Sequence, residues 1–356
     1  MGWRLVSDSD GVCQKVQKIL LALTAVYWGP LEVRFGSWRT LTTPVFLFAM
    51  RRSGVRFPST PPSALEDASA TYYRIGCILA YTASMSPLPK DHTAPSVFRP
   101  EHLLREARRQ RGLPDRDVPN LCVLDPDGDL TGFLIGRGAR RCEGWACYHT
   151  ELHEFALADG TTAGIVGCAV GAPFAVLVAE QLFASGCQCL LSITSSGRIA
   201  DLGAPPYVVL IDRALRDDGT SAHYLPTGAG HFVDAPNPAL LAQIAAHLTS
   251  VFPPGSGVAV HRGATWTTDA PYRETADAIA AARDLGVLAV EMEAAALYAF
   301  GAWRGVPVTC VAHVTNTMGQ QDGDDFEKGE ANGSLTALSI IEATAAAFRC
   351  NGHVPP

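Results

Sequence analysis

The chain has 356 residues, of which 47% are hydrophobic and 18% are charged. These proportions are typical of a folded globular protein, and the length allows one large domain or two modest ones. The formal net charge is −7, so no overall positive field attracts nucleic acid or an anionic membrane. The longest apolar run near the N-terminus, residues 19–28, is shorter than the roughly 20 residues that a membrane span requires. We therefore expect neither a nucleic-acid partner nor a membrane partner.

The ten cysteines do not have the spacing of a metal site. They form no Cys-x-x-Cys element and have no neighbouring pair of histidines, so we expect no bound metal. Four of them lie in apolar runs and are predicted to be small core residues: Cys168, Cys187, Cys189 and Cys310. This use of cysteine is that of a reduced, cytoplasmic protein.

Residues 1–94 lack sustained periodicity and are predicted to be a poorly structured N-terminal extension. Within them, residues 54–58 read Gly-Val-Arg-Phe-Pro, which is the translation of a transfer-RNA T-loop in one reading frame. This coincidence is the basis for the hypothesis that translation of the native protein begins near Met85. A natural, poorly packed extension is the alternative.

A regular succession of apolar strands and amphipathic helices begins at Pro95. It predicts helices at 100–111, 173–185, 238–251, 273–285, 293–303 and 334–349. It predicts strands at 163–169, 187–194, 207–212, 258–264, 286–290 and 306–314. Because the strands lack polar alternation and are separated by helices, we expect one α/β domain over 95–350. Its mostly parallel, twisted sheet is flanked by helices.

The carboxyl ends of such strands are where ligands bind, and two of these ends carry small or hydroxyl residues. After the first predicted strand, Gly171 lets a backbone N–H group approach an anion or a sugar, although glycine here is as often a packing residue. After the second, Ser195 and Ser196 offer hydroxyls for phosphate or sugar oxygens, or for capping a turn.

A third strand end is acidic. An apolar strand runs into Glu291, Met292 and Glu293, and an alanine-rich helix follows at once. A carboxylate there can accept hydrogen bonds from both vicinal hydroxyls of a ribose. It can also stabilise the positive charge that develops as a glycosidic bond breaks. The alternative is that the acids only favour the positive end of the helix dipole. The fourth strand end offers Asn316 where a base would lie.

These residues resemble the nucleoside phosphorylase superfamily, which contains uridine phosphorylase, the hexameric purine nucleoside phosphorylases and the methylthioadenosine nucleosidases. The resemblance runs over roughly 120–350, is carried by the motif at 290–298 and the block at 164–197, and is greatest to the uridine phosphorylase-like members. It implies that Glu293 binds the ribose 2′ and 3′ hydroxyls, that Met292 packs on the sugar and that Glu291 supports them.

The same resemblance implies a base-binding segment, a subunit arrangement and a co-substrate. The base-binding positions are Thr268, Asp269, Tyr272 and Arg273. Family members assemble from dimers, so a homo-oligomer is expected. No organic cofactor is implied, and inorganic phosphate is the expected co-substrate.

The chain departs from the family where phosphate binds. The positions that carry phosphate-binding arginines hold Leu130, His149 and Ser192 here, and aspartates surround the first of them. Ser195 remains as a hydroxyl for phosphate. Either other arginines substitute, or water replaces phosphate as the nucleophile, as in the nucleosidases. The candidate substitutes are Arg137, Arg140, Arg141 and Arg198.

The base pocket departs as well, because Asn316 stands where purine-cleaving members have an aspartate that protonates the leaving base. An asparagine cannot act as an acid, which favours uracil or a 6-oxopurine over adenine. The nearby loop carries three aspartates that can lie near the site: Asp322, Asp324 and Asp325.

The sequence therefore predicts cleavage of the N-glycosidic bond of a ribo- or deoxyribonucleoside. Phosphorolysis of uridine or a 6-oxopurine nucleoside, giving the free base and ribose 1-phosphate, is the first hypothesis. Hydrolysis of the same bond is the second. The third is a nucleoside-binding protein without activity on the same fold.

Overall fold

A ten-stranded mixed sheet carries the fold. The computed structural model describes residues 90–317 and 326–350, apart from residues 227 and 229. Most of the predicted N-terminal extension, including Met85, lies outside these residues, as do the three loop aspartates Asp322, Asp324 and Asp325.

The helices and strands of the described residues alternate along the chain. The helices are α1 (Pro100–Arg111), α2 (Asp129–Gly136), α3 (Ala172–Ala184), α4 (Ser221–Tyr224), α5 (Pro238–Val251), α6 (Ala276–Asp284), α7 (Ala294–Arg304) and α8 (Ser334–Cys350). The strands are β1 (Leu121–Asp125), β2 (Arg140–Arg141), β3 (His153–Ala156), β4 (Thr162–Gly167), β5 (Cys189–Arg198), β6 (Tyr207–Asp217), β7 (Phe232–Asp234), β8 (Val260–Thr268), β9 (Val287–Glu291) and β10 (Val308–Thr317).

Five of the strands close into a ring. Around it, β5 pairs with β10, β10 with β6, β6 with β8, β8 with β9, and β9 with β5 again. The sheet continues from β5 through β1, β4 and β3 to β2. Because the ring closes, the carboxyl ends of β5, β8, β9 and β10 are brought close to one another.

The predicted α/β architecture with flanking helices is confirmed, and the sheet proves to be mixed. Parallel pairing joins β4, β1, β5 and β10, and separately β6, β8 and β9. Antiparallel pairs occur where the ring closes and where the short strands β2, β3 and β7 join the sheet. Such short strands have too few residues for a periodic signal in the sequence.

The second predicted strand continues beyond its expected end at residue 194. Ser195, Ser196 and Gly197, predicted to form a turn, are part of β5, because they pair with β10 and Gly197 also pairs with Val290 of β9. The helix predicted from residue 273 begins later, at Ala276. A single 3₁₀ turn at Pro271–Arg273 precedes it, and the Thr275 side chain caps it by accepting a hydrogen bond from the Ala278 N–H.

Helix α7 lies in the centre of the core, and its residues from Ala294 to Gly301 are all buried. The Tyr298 hydroxyl donates a hydrogen bond to the Ile211 carbonyl (2.6 Å) and accepts one from the Cys310 N–H (3.0 Å), which ties α7 to β6 and β10. Within the part of the chain that the structure describes, no helix is long and apolar enough to cross a membrane.

Of the four cysteines predicted to be core residues, Cys187, Cys189 and Cys310 are buried, and Cys168 is exposed. The prediction for Cys168 is wrong because β4 ends at Gly167. Cys168 lies in the following turn with a φ of 61°.

Candidate active site

The acidic corner lies between β9 and α7, and its first acid is saturated by internal hydrogen bonds. Glu291 is buried, and its Oε1 accepts hydrogen bonds from the hydroxyls of Thr265 (3.2 Å) and Thr267 (2.5 Å). Its Oε2 accepts from the backbone N–H groups of Glu293 and Ala294, both at 2.7 Å. Four donors on one carboxylate fix the start of α7 and leave Glu291 little capacity for a ligand.

Glu293 has free hydrogen-bonding capacity. One oxygen accepts from the Gly171 N–H (2.7 Å) and the other from the Thr194 hydroxyl (3.0 Å), so each oxygen keeps room for a further donor. Glu293 as a whole is only 1% exposed to solvent. Burial raises the pKa of the Glu293 carboxyl above its ordinary value, and the neighbouring charge of Glu291 raises it further.

Burial also raises the pKa of Glu291, and its four hydrogen-bond donors oppose that shift. The two acids therefore differ in accessibility to a ligand rather than in burial. Glu291 is enclosed by protein donors, whereas Glu293 joins three segments that are distant in the sequence: β5, the turn before α3, and the start of α7.

Gly171 supplies a backbone conformation that the site needs. It is the N-cap of α3 with a φ of 86°, a region that residues with a side chain rarely adopt. This conformation aims its N–H at Glu293. A Cβ on Gly171 would lie 4.0 Å from the Met292 Cε, so Met292 lies close to Gly171 beside the acidic corner.

Thr194, which donates to the Glu293 carboxylate, also lines a cavity. Thr194 and Ser195 of β5 contribute to its wall, together with the N-terminal ends of α2 and α8. Three aspartates from the β1–α2 turn also line it: Asp125, Asp127 and Asp129.

The acidic wall of the cavity is paired with a cation, Lys328, that the sequence does not predict. The Lys328 ammonium lies 3.1 Å from Asp127 and 2.5 Å from Asp129, and the Ser195 hydroxyl donates to the same Asp127 oxygen. Lys328 is about 200 residues from its partners in the sequence, and no local pattern marks the pairing. Asp125 is occupied by the N–H and hydroxyl of Thr131 at the first turn of α2.

The balance of charge in the cavity disfavours an anion. The three aspartates Asp125, Asp127 and Asp129 outnumber Lys328, and the N-termini of α2 and α8 each add about half a positive charge. Two like unit charges about 5 Å apart repel by roughly 3 kcal/mol at an effective dielectric constant near 20. A phosphate ion would meet this repulsion from at least one uncompensated carboxylate.

The positions predicted for phosphate are dispersed. Leu130 lines the cavity as an apolar core residue, Ser192 is buried within β5, and His149 is exposed and is not among the lining residues. The four candidate substitutes lie elsewhere too. Arg140 and Arg141 are exposed on the edge strand β2, Arg137 stacks on Phe133, and Arg198 binds Asp201 and the Gly203 carbonyl. Of the residues predicted to bind phosphate, Ser195 is the polar one that lines the cavity.

The predicted sugar and base residues divide into buried and exposed groups. Asn316 is buried and pairs with Gly197 across β10 and β5, next to the acidic corner. Ser196 is buried and donates to the Thr194 carbonyl (3.3 Å). In contrast, Tyr272 is 99% exposed and Arg273 is exposed, while Asp269 accepts a hydrogen bond from the Gly219 N–H (2.8 Å). Within one chain, these last three do not form an enclosed base pocket.

Among the described residues, no group of three or more His, Cys, Asp or Glu side chains is arranged to hold a metal ion. The three cavity aspartates fit this finding, since their oxygens already accept hydrogen bonds from Thr131, Ser195 and Lys328.

Comparison with known proteins gives relatives that match much of the described chain. A guanosine phosphorylase of Halorubrum lacusprofundi is 26% identical over 172 residues, which are 48% of this chain and 68% of that protein. The crystal structure of uridine phosphorylase from Vibrio fischeri superposes with a TM-score of 0.54 at 19% identity. The superposition covers 66% of this chain and 95% of the uridine phosphorylase chain, and it shows that the two chains share a fold.

The model of one protein family, described as the phosphorylase superfamily, matches residues 138–346. This range contains Gly171, Thr194 and the acidic corner, and the resemblance inferred from the sequence is confirmed. Because the match spans more than half of the 356 residues, the chain belongs to the phosphorylase superfamily.

Proposed function

We propose that this protein cleaves the N-glycosidic bond of a nucleoside and that Glu293 binds the ribose. The observation that carries the proposal is the state of the Glu293 carboxylate. It is buried and accepts hydrogen bonds from the Gly171 N–H and the Thr194 hydroxyl, and Thr194 also lines a cavity. A ribose presents two vicinal hydroxyls, which are the two further donors that this carboxylate can accept.

The same carboxylate suits the chemistry of bond cleavage. As the bond between C1′ and the base nitrogen breaks, positive charge builds on the sugar ring, and a fixed negative charge nearby stabilises it. Ionised Glu293 provides that charge from a buried position. In this proposal Glu291 does not contact the sugar. It positions Glu293 by fixing the first turn of α7.

The identity of the base is proposed from Asn316 and from the relatives. An asparagine side chain can donate to a carbonyl oxygen and accept from a ring N–H, so it suits uracil or a 6-oxopurine. The relatives are named for guanosine and uridine, which carry these two kinds of base. Their names also favour phosphate as the nucleophile, giving ribose 1-phosphate, whereas the acidic cavity favours water.

The proposal is tested by measuring base release from uridine, inosine and guanosine, each with and without phosphate. Glu293→Gln keeps the shape but removes the charge, and we expect kcat/KM to fall by about 100-fold or more. Glu143→Gln is the matched control, since Glu143 is exposed. Equal turnover by the wild type and Glu293→Gln would remove Glu293 from the mechanism. Calorimetric binding of a nucleoside without turnover would favour a binding protein instead.

A further inference from the structure

We infer that the C-terminal half of α1 forms a second ligand site, which binds the phosphate chain of a nucleoside triphosphate or of an inorganic oligophosphate. The site is an open cavity of about 610 Å³, a size that small ligands commonly occupy. Three arginines of α1 and the turn that follows the helix line it: Arg105, Arg108, Arg109, Gly112, Leu113 and Asp115. The superfamily model matches residues 138–346, so α1 precedes the matched range. The site therefore goes beyond the proposed function.

Helix α1 holds the three arginines on a fixed frame. Its residues Leu104 and Ala107 are buried in one cluster with Ala146, and Ala184 at the end of α3 packs against this cluster. The arginines stand at positions i, i+3 and i+4 of the helix, so their side chains are neighbours on its surface. The apolar face thus anchors α1, while the basic face borders the cavity.

Arg108 is the most enclosed of the three. Its side chain is only 16% exposed, and its Nη2 donates to the Gly144 carbonyl (3.4 Å). Its Nε is buried and has no hydrogen-bond partner among the described residues, since the Asp115 carboxylate lies 3.7 Å away. A buried charged donor without an acceptor is costly. Because the Asp115 side chain is 97% exposed, it can turn into water and leave its place to an oxygen of a bound anion.

Arg105 and Arg109 supply further donors at the mouth of the cavity. Both side chains are mostly exposed, and they share one carboxylate: Glu106 lies 3.8 Å from the Arg105 Nε and 2.9 Å from the Arg109 Nε. Each guanidinium has five N–H donors, so one carboxylate leaves most of them available. Exposed ion pairs of this kind are weak, and a phosphate group can compete with Glu106 for them.

The charge of the cavity is positive although the whole chain has a net charge of −7. The three arginines and Asp115 give the lining a charge of +2. Glu106 beside the cavity and the C-terminal end of α1, which is equivalent to about half a negative charge, lower this value but do not reverse it. Guanidinium groups bind phosphate through paired hydrogen bonds. Because the arginines are neighbours, successive phosphates of one chain can each meet a different arginine.

The test measures binding to the full chain by isothermal titration calorimetry in buffer without divalent cations. The probes are tripolyphosphate, adenosine triphosphate and inorganic phosphate. We expect one saturable site for tripolyphosphate per chain, with a Kd lower than that of inorganic phosphate by about 10-fold or more, and weaker binding as salt is added. A much lower Kd for adenosine triphosphate would identify a nucleotide as the ligand. Equal Kd values would show that the phosphate chain alone is recognised.

Variants locate the site. Arg105→Gln combined with Arg109→Gln should raise the Kd by about 10-fold or more and leave the thermal midpoint unchanged, because both residues are exposed. Arg213→Gln combined with Arg262→Gln is the matched control. It removes the same charge from exposed arginines on β6 and β8 and should change the Kd less than twofold. Arg108→Lys keeps the charge but removes the planar fork, and it should also weaken binding.

Three results would overturn the inference. The first is the absence of saturable binding at millimolar tripolyphosphate. The second is an equal loss of affinity in the two double variants, which would indicate attraction to overall charge. The third is binding that Glu293→Gln abolishes and the α1 variants leave intact, which would place the ligand in the active site. Because no nucleoside is present, these results do not depend on the proposed glycosidic cleavage.

Discussion

Replacing Thr267 by valine removes one hydroxyl from the acidic corner and little else, since the two side chains have similar shapes. That hydroxyl donates to Glu291 (2.5 Å) and accepts from the Ala295 N–H (2.8 Å), and the residue is fully buried. Valine leaves the Ala295 N–H at the start of α7 without its acceptor and takes one donor from Glu291. A lost hydrogen bond contributes about 1 kcal/mol, and an unsatisfied buried donor costs about 1–3 kcal/mol. We expect the free energy of unfolding to fall by about 2–4 kcal/mol.

Thr265→Val is the matched comparison, because Thr265 is equally buried and lies on the same strand. Its hydroxyl gives Glu291 one longer hydrogen bond (3.2 Å). Its cost should be near 1 kcal/mol. Urea unfolding followed by tryptophan fluorescence measures both free energies. We expect the slope of the free energy of unfolding against urea concentration to be the same in both variants and the wild type. A Thr265→Val effect as large as that of Thr267→Val would refute this account of how the corner is held.

Three further predictions concern pH, backbone and the start of the protein. Because folding raises the pKa of Glu293, the protonated carboxyl stabilises the folded state at any pH below the ordinary pKa of 4.5. This contribution to the free energy of unfolding is lost as the pH rises through the pKa of the folded state. Activity should rise over the same range, and Glu293→Gln should flatten the decline in thermal midpoint. Gly171→Ala should cost about 1–3 kcal/mol, because the φ of 86° and ψ of 149° are adopted almost only by glycine, and should lower kcat/KM at least 10-fold; wild-type kinetics would count against the N–H contact. If translation begins near Met85, mass spectrometry of the native protein should find no peptide from before that residue.

The sequence alone predicts the first and last residues of a helix when those residues have a strong local preference for a helix end. Helices α1 and α5 begin and end at the predicted residues. Each has a proline in its first turn, and α1 ends at Gly112 in the left-handed conformation while the Asn237 side chain caps α5. The acidic corner is also recognisable from the sequence, because Glu291, Met292 and Glu293 are consecutive.

Contacts between distant segments are not visible in the sequence. The strand β5 extends to Arg198 because β9 and β10 supply pairing partners there. Glu291 is predicted to support Glu293 and Met292 at the sugar, and the structure encloses it with hydroxyls from Thr265 and Thr267, which precede it on another strand. Lys328 reaches Asp129 of the cavity wall from 199 residues further along the chain. Each of these facts depends on tertiary folding.

The donors that hold the two glutamates differ in how they can be lost through mutation. The Gly171 N–H on Glu293, and the N–H groups of residues 293 and 294 on Glu291, belong to the main chain. A change of side chain at those positions, other than to proline, can distort these groups but cannot delete them. The cavity wall beside them is made of side chains, and a single codon change can alter any of its charges. We therefore expect mutations to change the hydrogen bonds that hold the two glutamates less readily than they change the charges of the cavity wall. The wall can thus come to bind a different co-substrate while the sugar site is kept.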